Sequence, residues 1–192
     1  MGSAKAAKAA RREARELAAR TQFWHGGIGG LQPGEHILAP VDTGSPLSVA
    51  GHVAEARADR VYLATDRELA RVFASIITDA TGRSAVYQVQ PIGPIGVDLD
   101  FPACSHQARR ALIVAVEEVD VQLSETERLQ RTAPYLSWDD GRPMYDADGR
   151  IQVTWQMESV GVTQEFLNRL LQPWSTTHQA EAVVRRFFAL PT

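Results

Sequence analysis

The chain of 192 residues holds a single cysteine, Cys104. That excludes an intramolecular disulfide framework and any zinc site built on several thiolates of one chain, and it fits a reducing compartment. Long apolar runs are missing too: no stretch approaches the roughly 18 uninterrupted residues that a membrane-spanning helix needs. No basic segment followed by an apolar stretch opens the chain, so no secretory signal is read and a soluble, cytoplasmic protein is expected. Aromatics make up only 7% of the chain, and 14 glycines and 10 prolines are too few for a collagen-like or low-complexity polypeptide. The length suits one ordinary domain with small appendages.

Acidic residues are scarce only at the start. Lys5, Lys8, Arg11, Arg12, Arg15 and Arg20 face just Glu13 and Glu16 within residues 1–20, a net +4, which leaves −7 for the remainder of a chain whose net charge is −3. Polyanions require a positive surface, so nucleic-acid binding by the body of the protein is disfavoured. Ala4 to Ala19 consists almost wholly of strong helix formers with Leu17 as its one large apolar residue, which predicts a solvated arm, helical or disordered.

Periodicity gives the rest of the chain a coarse outline. A short aromatic strand at Gln22-Phe23-Trp24-His25 is expected to stop at the run Gly26-Gly27-Ile28-Gly29-Gly30, with a second short strand at His36-Ile37-Leu38 and a loop over residues 39–57. Arg60 to Ala64 reads as a strand. Thr65 with Glu68 has the capping-box spacing, which predicts a helix from Asp66 to about Thr78 with Leu69, Val72, Phe73 and Ile76 on one face. Ala85 to Gln90 alternates as a strand cut by Pro91-Ile92-Gly93-Pro94, and Leu112 to Val121 reads as extended. Ser124 with Glu127 opens a helix to about Arg131; helices are also expected over Thr163 to Leu171 and Thr177 to Leu190, the last with Val183, Val184, Phe187 and Phe188 inward. Strands come first and helices last, an α+β order without strand-helix alternation.

Several groups that suggest chemistry fail on spacing. The glycine run has neither the Lys-Ser/Thr of a phosphate loop nor the context of a dinucleotide fingerprint. Cys104-Ser105-His106 offers nothing to orient the imidazole as a base, and His36, His52 and His178 have no metal-ligand spacing, so no metal site is expected. Asp146-Ala147-Asp148-Gly149 lacks the acid that closes a calcium loop and reads as a hairpin turn, like Asp139-Asp140-Gly141. Three strand ends remain: Trp24-His25-Gly26-Gly27, then Arg60-Val61-Tyr62-Leu63-Ala64-Thr65, then Gln90-Pro91-Ile92-Gly93-Pro94 followed by Asp98. Singly, each has a plain structural reading: His25 as a turn histidine, Tyr62 as a core aromatic, Asp98 as a solvated loop carboxylate.

In this order and with these flanks, the three segments resemble the rifamycin ADP-ribosyltransferases of the wider mono-ADP-ribosyltransferase superfamily, over roughly residues 22–121, about half of the chain. The most specific piece is Pro91-Ile92-Gly93-Pro94 with Asp98; Gly34-Glu35-His36-Ile37-Leu38, the helix from Glu68 to Ala74, and Ser105 with Leu112 to Val121 fill in the order. The resemblance implies a split antiparallel β-sheet that clasps NAD+, with peripheral helices and a His-Tyr-Asp set of catalytic residues. Carried over, His25 would bond the adenosine-side ribose, and the amides around Gly26 and Gly27 would approach the nicotinamide carboxamide. Tyr62 would stack on the nicotinamide ring, Thr65 would join the cofactor-binding residues, and Asp98 would lie by the nicotinamide-side ribose, with Asp100 as the alternative carboxylate. Those residue types suit the task. An aromatic face attracts a cationic ring, a fixed carboxylate stabilises the positive charge that develops on ribose as nicotinamide leaves, and glycine admits a ligand close to the backbone.

The expected organisation is a basic arm over 1–20, an NAD-binding core over 21–122 and a mostly helical extension over 123–192 that packs on the core and has no counterpart in those compact enzymes. The implied activity is transfer of ADP-ribose from NAD+ to an unknown acceptor, either a small molecule such as a rifamycin-like antibiotic or a macromolecule. An NAD+ glycohydrolase is the related alternative. A non-catalytic binding module that uses Trp138, Trp155 and Trp174 for protein contact is the alternative of a different class. Related tRNA 2′-phosphotransferases need a basic surface that the −7 body lacks.

Overall fold

The computed structural model describes residues 21–44 and 57–189. The expected basic arm and His52 lie outside the described residues, as do the side chains of Phe187 and Phe188. The chain divides into two compact units, Met1–Gln122 and Leu123–Thr192. Among the described residues no helix is long and apolar enough to cross a membrane.

The first unit is built on one antiparallel sheet of seven strands: β1 (Phe23–Ile28), β2 (His36–Leu38), β3 (Val61–Ala64), β4 (Ser84–Ile92), β5 (Gly96–Val97), β6 (Ser105–Ala108) and β7 (Arg110–Val119). Their order across the sheet is β2-β7-β4-β1-β3-β6-β5. With its helices, this makes the protein α+β. Whereas β1 pairs with β4 over six residues, it meets β3 at one pair alone, Trp24 with Ala64. The sheet is therefore four strands and three strands joined at a narrow seam.

Alternation along β1 puts Phe23, His25 and Gly27 on the face that carries Ala85, Tyr87 and Val89, and Trp24 and Gly26 on the other. On the first face the core gathers Phe23, Val61, Leu63, Tyr87 and Ile113, each at most 3% exposed. Over the second face lies helix α2 (Arg67–Thr81), which follows the short α1 (Pro40–Thr43) in the chain. Helix α2 is bound to β7 by an ion-pair cluster: Arg71 grips Glu118 through Nε at 2.9 Å and Nη2 at 3.1 Å and reaches Glu68 at 2.9 Å.

Four expectations about this unit need correction. The strand at Trp24 does not stop at Gly26 but runs on to Ile28, because the two glycines are places of close approach within a strand. The N-cap of α2 is Asp66, whose carboxylate accepts from the amide of Glu68 at 2.9 Å; Thr65 is held in the β3–β6 ladder, donating both N–H and hydroxyl to the Cys104 carbonyl. Strand β4 continues through Pro91 to Ile92. Beyond Val89 only β7 pairs with it, and an open side tolerates a residue without an N–H. The loop expected over 39–57 opens with α1, which Pro40 starts at a position where a helix needs no donor.

The buried side of α2 also departs from the expected stripe. Leu69 and Val72 are buried as foreseen, but Phe73 and Ile76 are only half-buried, and small residues take their place: Ala70, Ala74, Ser75 and Thr78. Thr78 Oγ1 meets Ser84 Oγ at 2.5 Å, and Ser84 Oγ in turn accepts from the amide of Val121.

In the second unit, α3 (Glu125–Thr132) begins with a complete capping box between Ser124 and Glu127, followed by a 3-10 turn at Ala133–Tyr135, then α4 (Trp155–Ser159), α5 (Gln164–Leu170) and α6 (Thr177–Ala189). Between the 3-10 turn and α4 the chain makes two hairpins, closed by the bridges Ser137 to Pro143 and Tyr145 to Ile151. Asp139-Asp140-Gly141 and Asp146 to Gly149 are their turns, as their composition predicts. The unit has its own core of Tyr145, Ile151, Val162, Leu167 and Ala180, with Val183 and Val184 packed against it. Gly149, at φ 77°, lies against the indole of Trp174, and that ring stacks on Tyr145.

Candidate functional site

The seam between β1 and β3 is where the sequence-predicted residues meet. Past the pair Trp24–Ala64 the two strands part, and the backbone carbonyl of Tyr62, which faces β1, loses a ladder partner. The side chain of His25 takes it: Nδ1 lies 2.9 Å from Tyr62 O. A carbonyl only accepts, so Nδ1 carries the proton and Nε2 is left as an acceptor on a neutral ring. Burial pushes the His25 pKa down, opposed by that hydrogen bond, and the neutral form prevails at physiological pH.

The glycines after His25 are explained by what lies beside them. A Cβ on Gly26 would overlap the carbonyl oxygen of Ala70 and stand 2.7 Å from the amide nitrogen of Ala74, so α2 crosses β1 backbone to backbone. A Cβ on Gly27 would stand 2.5 Å from His25 Nε2; its absence gives the imidazole room to lie along the strand. Further on, Tyr87 Oη donates to Ile28 O at 2.8 Å and accepts from the amide of Leu31 at 3.2 Å, pinning both ends of the Gly29-Gly30 turn. The glycine run is thus occupied with packing and turning.

Tyr62 is half-buried, and its hydroxyl accepts from the amide of Arg57 at 2.7 Å, which ties the ring to the segment that enters β3. Asp98 is no solvated loop carboxylate: it is 7% exposed. Its Oδ2 accepts from Ser105 Oγ at 2.7 Å and its Oδ1 from the amide of Asp100 at 3.2 Å, while its own amide donates to Ser105 O. Because Ser105 pairs with Ala64 and Tyr62 is two residues before Ala64, Asp98 and Tyr62 project from the same face of the three-strand half. Asp100, the alternative carboxylate, is exposed. His25 belongs to the opposite face of β1 and reaches Tyr62 through its main chain. The structure therefore brings Tyr62 and Asp98 to one face and His25 to the seam beside them, and His25 and Asp98 share no hydrogen bond. Thr65, turned onto the Cys104 carbonyl, belongs to the ladder.

Two neighbours were missed by reading the sequence. Trp24 shares the face of Ala64, and its indole Nε1 is buried without a hydrogen-bond partner among the described residues. His106 lies edge-on to Phe23, ring centroids 5.5 Å apart, with Nδ1 equally unpartnered. Burial pushes its pKa down and the negative charge of Asp98 pushes it up. An unmet buried donor is the signal of such groups, and only the pairing of β1 with β3 and of β6 with β5 exposes it. Among the described residues no three His, Cys, Asp or Glu side chains are grouped to hold a metal ion. No protein-family model matches the chain, and no curated protein matches it.

Proposed function

We propose that the first unit is a mono-ADP-ribosyltransferase that cleaves the nicotinamide–ribose bond of NAD+ and passes ADP-ribose to an acceptor. The observation that carries this reading is the neutral imidazole of His25, fixed by Tyr62 O at the seam where the sheet divides. Its Nε2 is an acceptor suited to a ribose hydroxyl. The two halves of the sheet would form the split core, with the aromatic face of Tyr62 available to the cationic nicotinamide and the indole N–H of Trp24 as an unmet donor on the same side. When the glycosidic bond breaks, the bonding electrons leave with neutral nicotinamide and C1′ becomes oxocarbenium-like. Asp98 on that face supplies the opposing charge, held in place by Ser105 and the Asp100 amide. The acceptor then bonds to C1′ through its oxygen or nitrogen and releases its proton to solvent; where it is water, the reaction is NAD+ hydrolysis.

The enclosure of Asp98 favours a second reading. Both carboxylate oxygens already accept hydrogen bonds, and a binding module that keeps the fold needs no carboxylate free to face ribose. Nicotinamide release from NAD+, measured for the wild type and for His25→Ala, Tyr62→Ala and Asp98→Ala, separates the two. The transferase reading expects release by the wild type and a fall of about a hundredfold or more in Asp98→Ala with NAD+ binding retained. Absence of release, with or without NAD+ binding, overturns the transferase reading and supports the module.

A further inference from the structure

We infer that a shallow cleft in the second unit, between Trp138 and Trp155, binds arginine side chains presented by a peptide partner. The cleft has a volume of about 200 Å³ and is lined by Trp138, Asp139, Asp140, Thr154, Trp155 and Gln156. That is below the roughly 300–1,000 Å³ of pockets that enclose drug-sized ligands, so the cleft suits the end of a side chain rather than a whole cofactor.

Its walls are built before any ligand arrives. The hairpin closed by Ser137 and Pro143 carries Trp138 N–H to Arg142 O at 2.9 Å and Gly141 N–H to Trp138 O at 2.8 Å. The indole N–H of Trp138 donates to Gln152 O at 3.1 Å, which fixes its ring plane and spends its only donor. Opposite, Thr154 caps α4 by accepting from the amide of Met157 at 3.1 Å, and Trp155 in the first turn stays 57% exposed. Tryptophan is rarely buried completely but is highly buried on average, so an indole this exposed at the edge of a cleft is open to a ligand.

The lining commits the ligand to positive charge. Arg142, which ends the same hairpin turn, is engaged with Asp140 through Nε and Oδ2 at 2.9 Å and stands 4.0 Å from Glu158. Asp139 is exposed and its carboxylate has no partner among the described residues. Lining the same small space, two indoles and an unpaired carboxylate suit a planar guanidinium, which stacks on an aromatic ring and donates to a carboxylate at its edge. A lysine ammonium offers the charge without the plane, and a neutral side chain offers neither.

The test uses the full chain and a capped eight-residue peptide carrying four arginines, with lysine and glutamine versions of the same peptide, followed by tryptophan fluorescence and calorimetry. Binding of the arginine peptide is expected to be at least fivefold tighter than that of the lysine peptide, with none detected for glutamine. Trp155→Ala should weaken it tenfold or more and Asp139→Asn several-fold, with an unchanged melting temperature showing that both exposed replacements leave the fold intact. Equal affinity for arginine and lysine peptides, binding indifferent to Trp155→Ala, or no binding at millimolar arginine peptide overturns the assignment.

Discussion

Gly26 is tightly constrained, because the atoms that a methyl group would meet there are the Ala70 carbonyl oxygen and the Ala74 nitrogen, both backbone of a packed helix. Neither can swing aside as a side-chain end can. Gly26→Ala is therefore expected to lower stability by about 3 kcal/mol, the upper end of overpacking costs, read from the midpoint of chemical denaturation. Gly27→Ala meets only the imidazole of His25 and should cost less, while moving the ring off Tyr62 O. The histidines themselves make stability depend on pH. Both His25 and His106 are shifted down by burial, so in acid the unfolded chain takes up protons before the folded one does. Stability from this source is complete above the unfolded value of about 6.5 and is lost as pH falls through the lowered native values. Denaturation midpoints at pH 7.5 and pH 5.5 should differ accordingly, and the difference should shrink in His25→Ala.

The elements show what local pattern settles and what it leaves to the fold. Ser124 and Glu127 form the capping box that their spacing predicts, since nothing else competes for the serine: its Oγ accepts from the amide of Glu127 at 3.2 Å, and Glu127 Oε2 takes the Ser124 amide at 2.8 Å. Ser124→Ala should cost about 1 kcal/mol, measurable as a lower melting temperature. Thr65 and Glu68 have the same spacing and form no such box, because Thr65 is claimed by the Cys104 carbonyl across β6. A ladder bond to a strand distant in sequence is invisible to a window of four residues. Pro91 shows the same limit, for whether a strand survives a proline depends on which of its sides is paired. The small-residue face of α2 was legible only as helix; that Ala70 and Ala74 are chosen for the approach of β1 needs the partner strand.

At the scale of the whole molecule, the α+β order and helices α3, α5 and α6 of the second unit were readable from composition and periodicity, while the five-residue α4, the very short β5 and the four-residue β6 carried too little pattern to announce themselves. The candidate site was half legible. The resemblance in residue order picked out His25, Tyr62 and Asp98, but the register decides that Tyr62 and Asp98 share a face, that His25 meets Tyr62 at the seam through its main-chain carbonyl, and that Ser105 rather than solvent holds Asp98. The proposed activity requires NAD+ to enter that seam. Titrating NAD+ into the full chain while observing the imidazole nitrogens of His25 by ¹⁵N NMR addresses this without requiring turnover. The Nε2 resonance is expected to shift saturably as the lone pair accepts a ribose hydroxyl, with Nδ1 still protonated on Tyr62 O; both nitrogens unmoved at millimolar NAD+ would contradict the proposed activity.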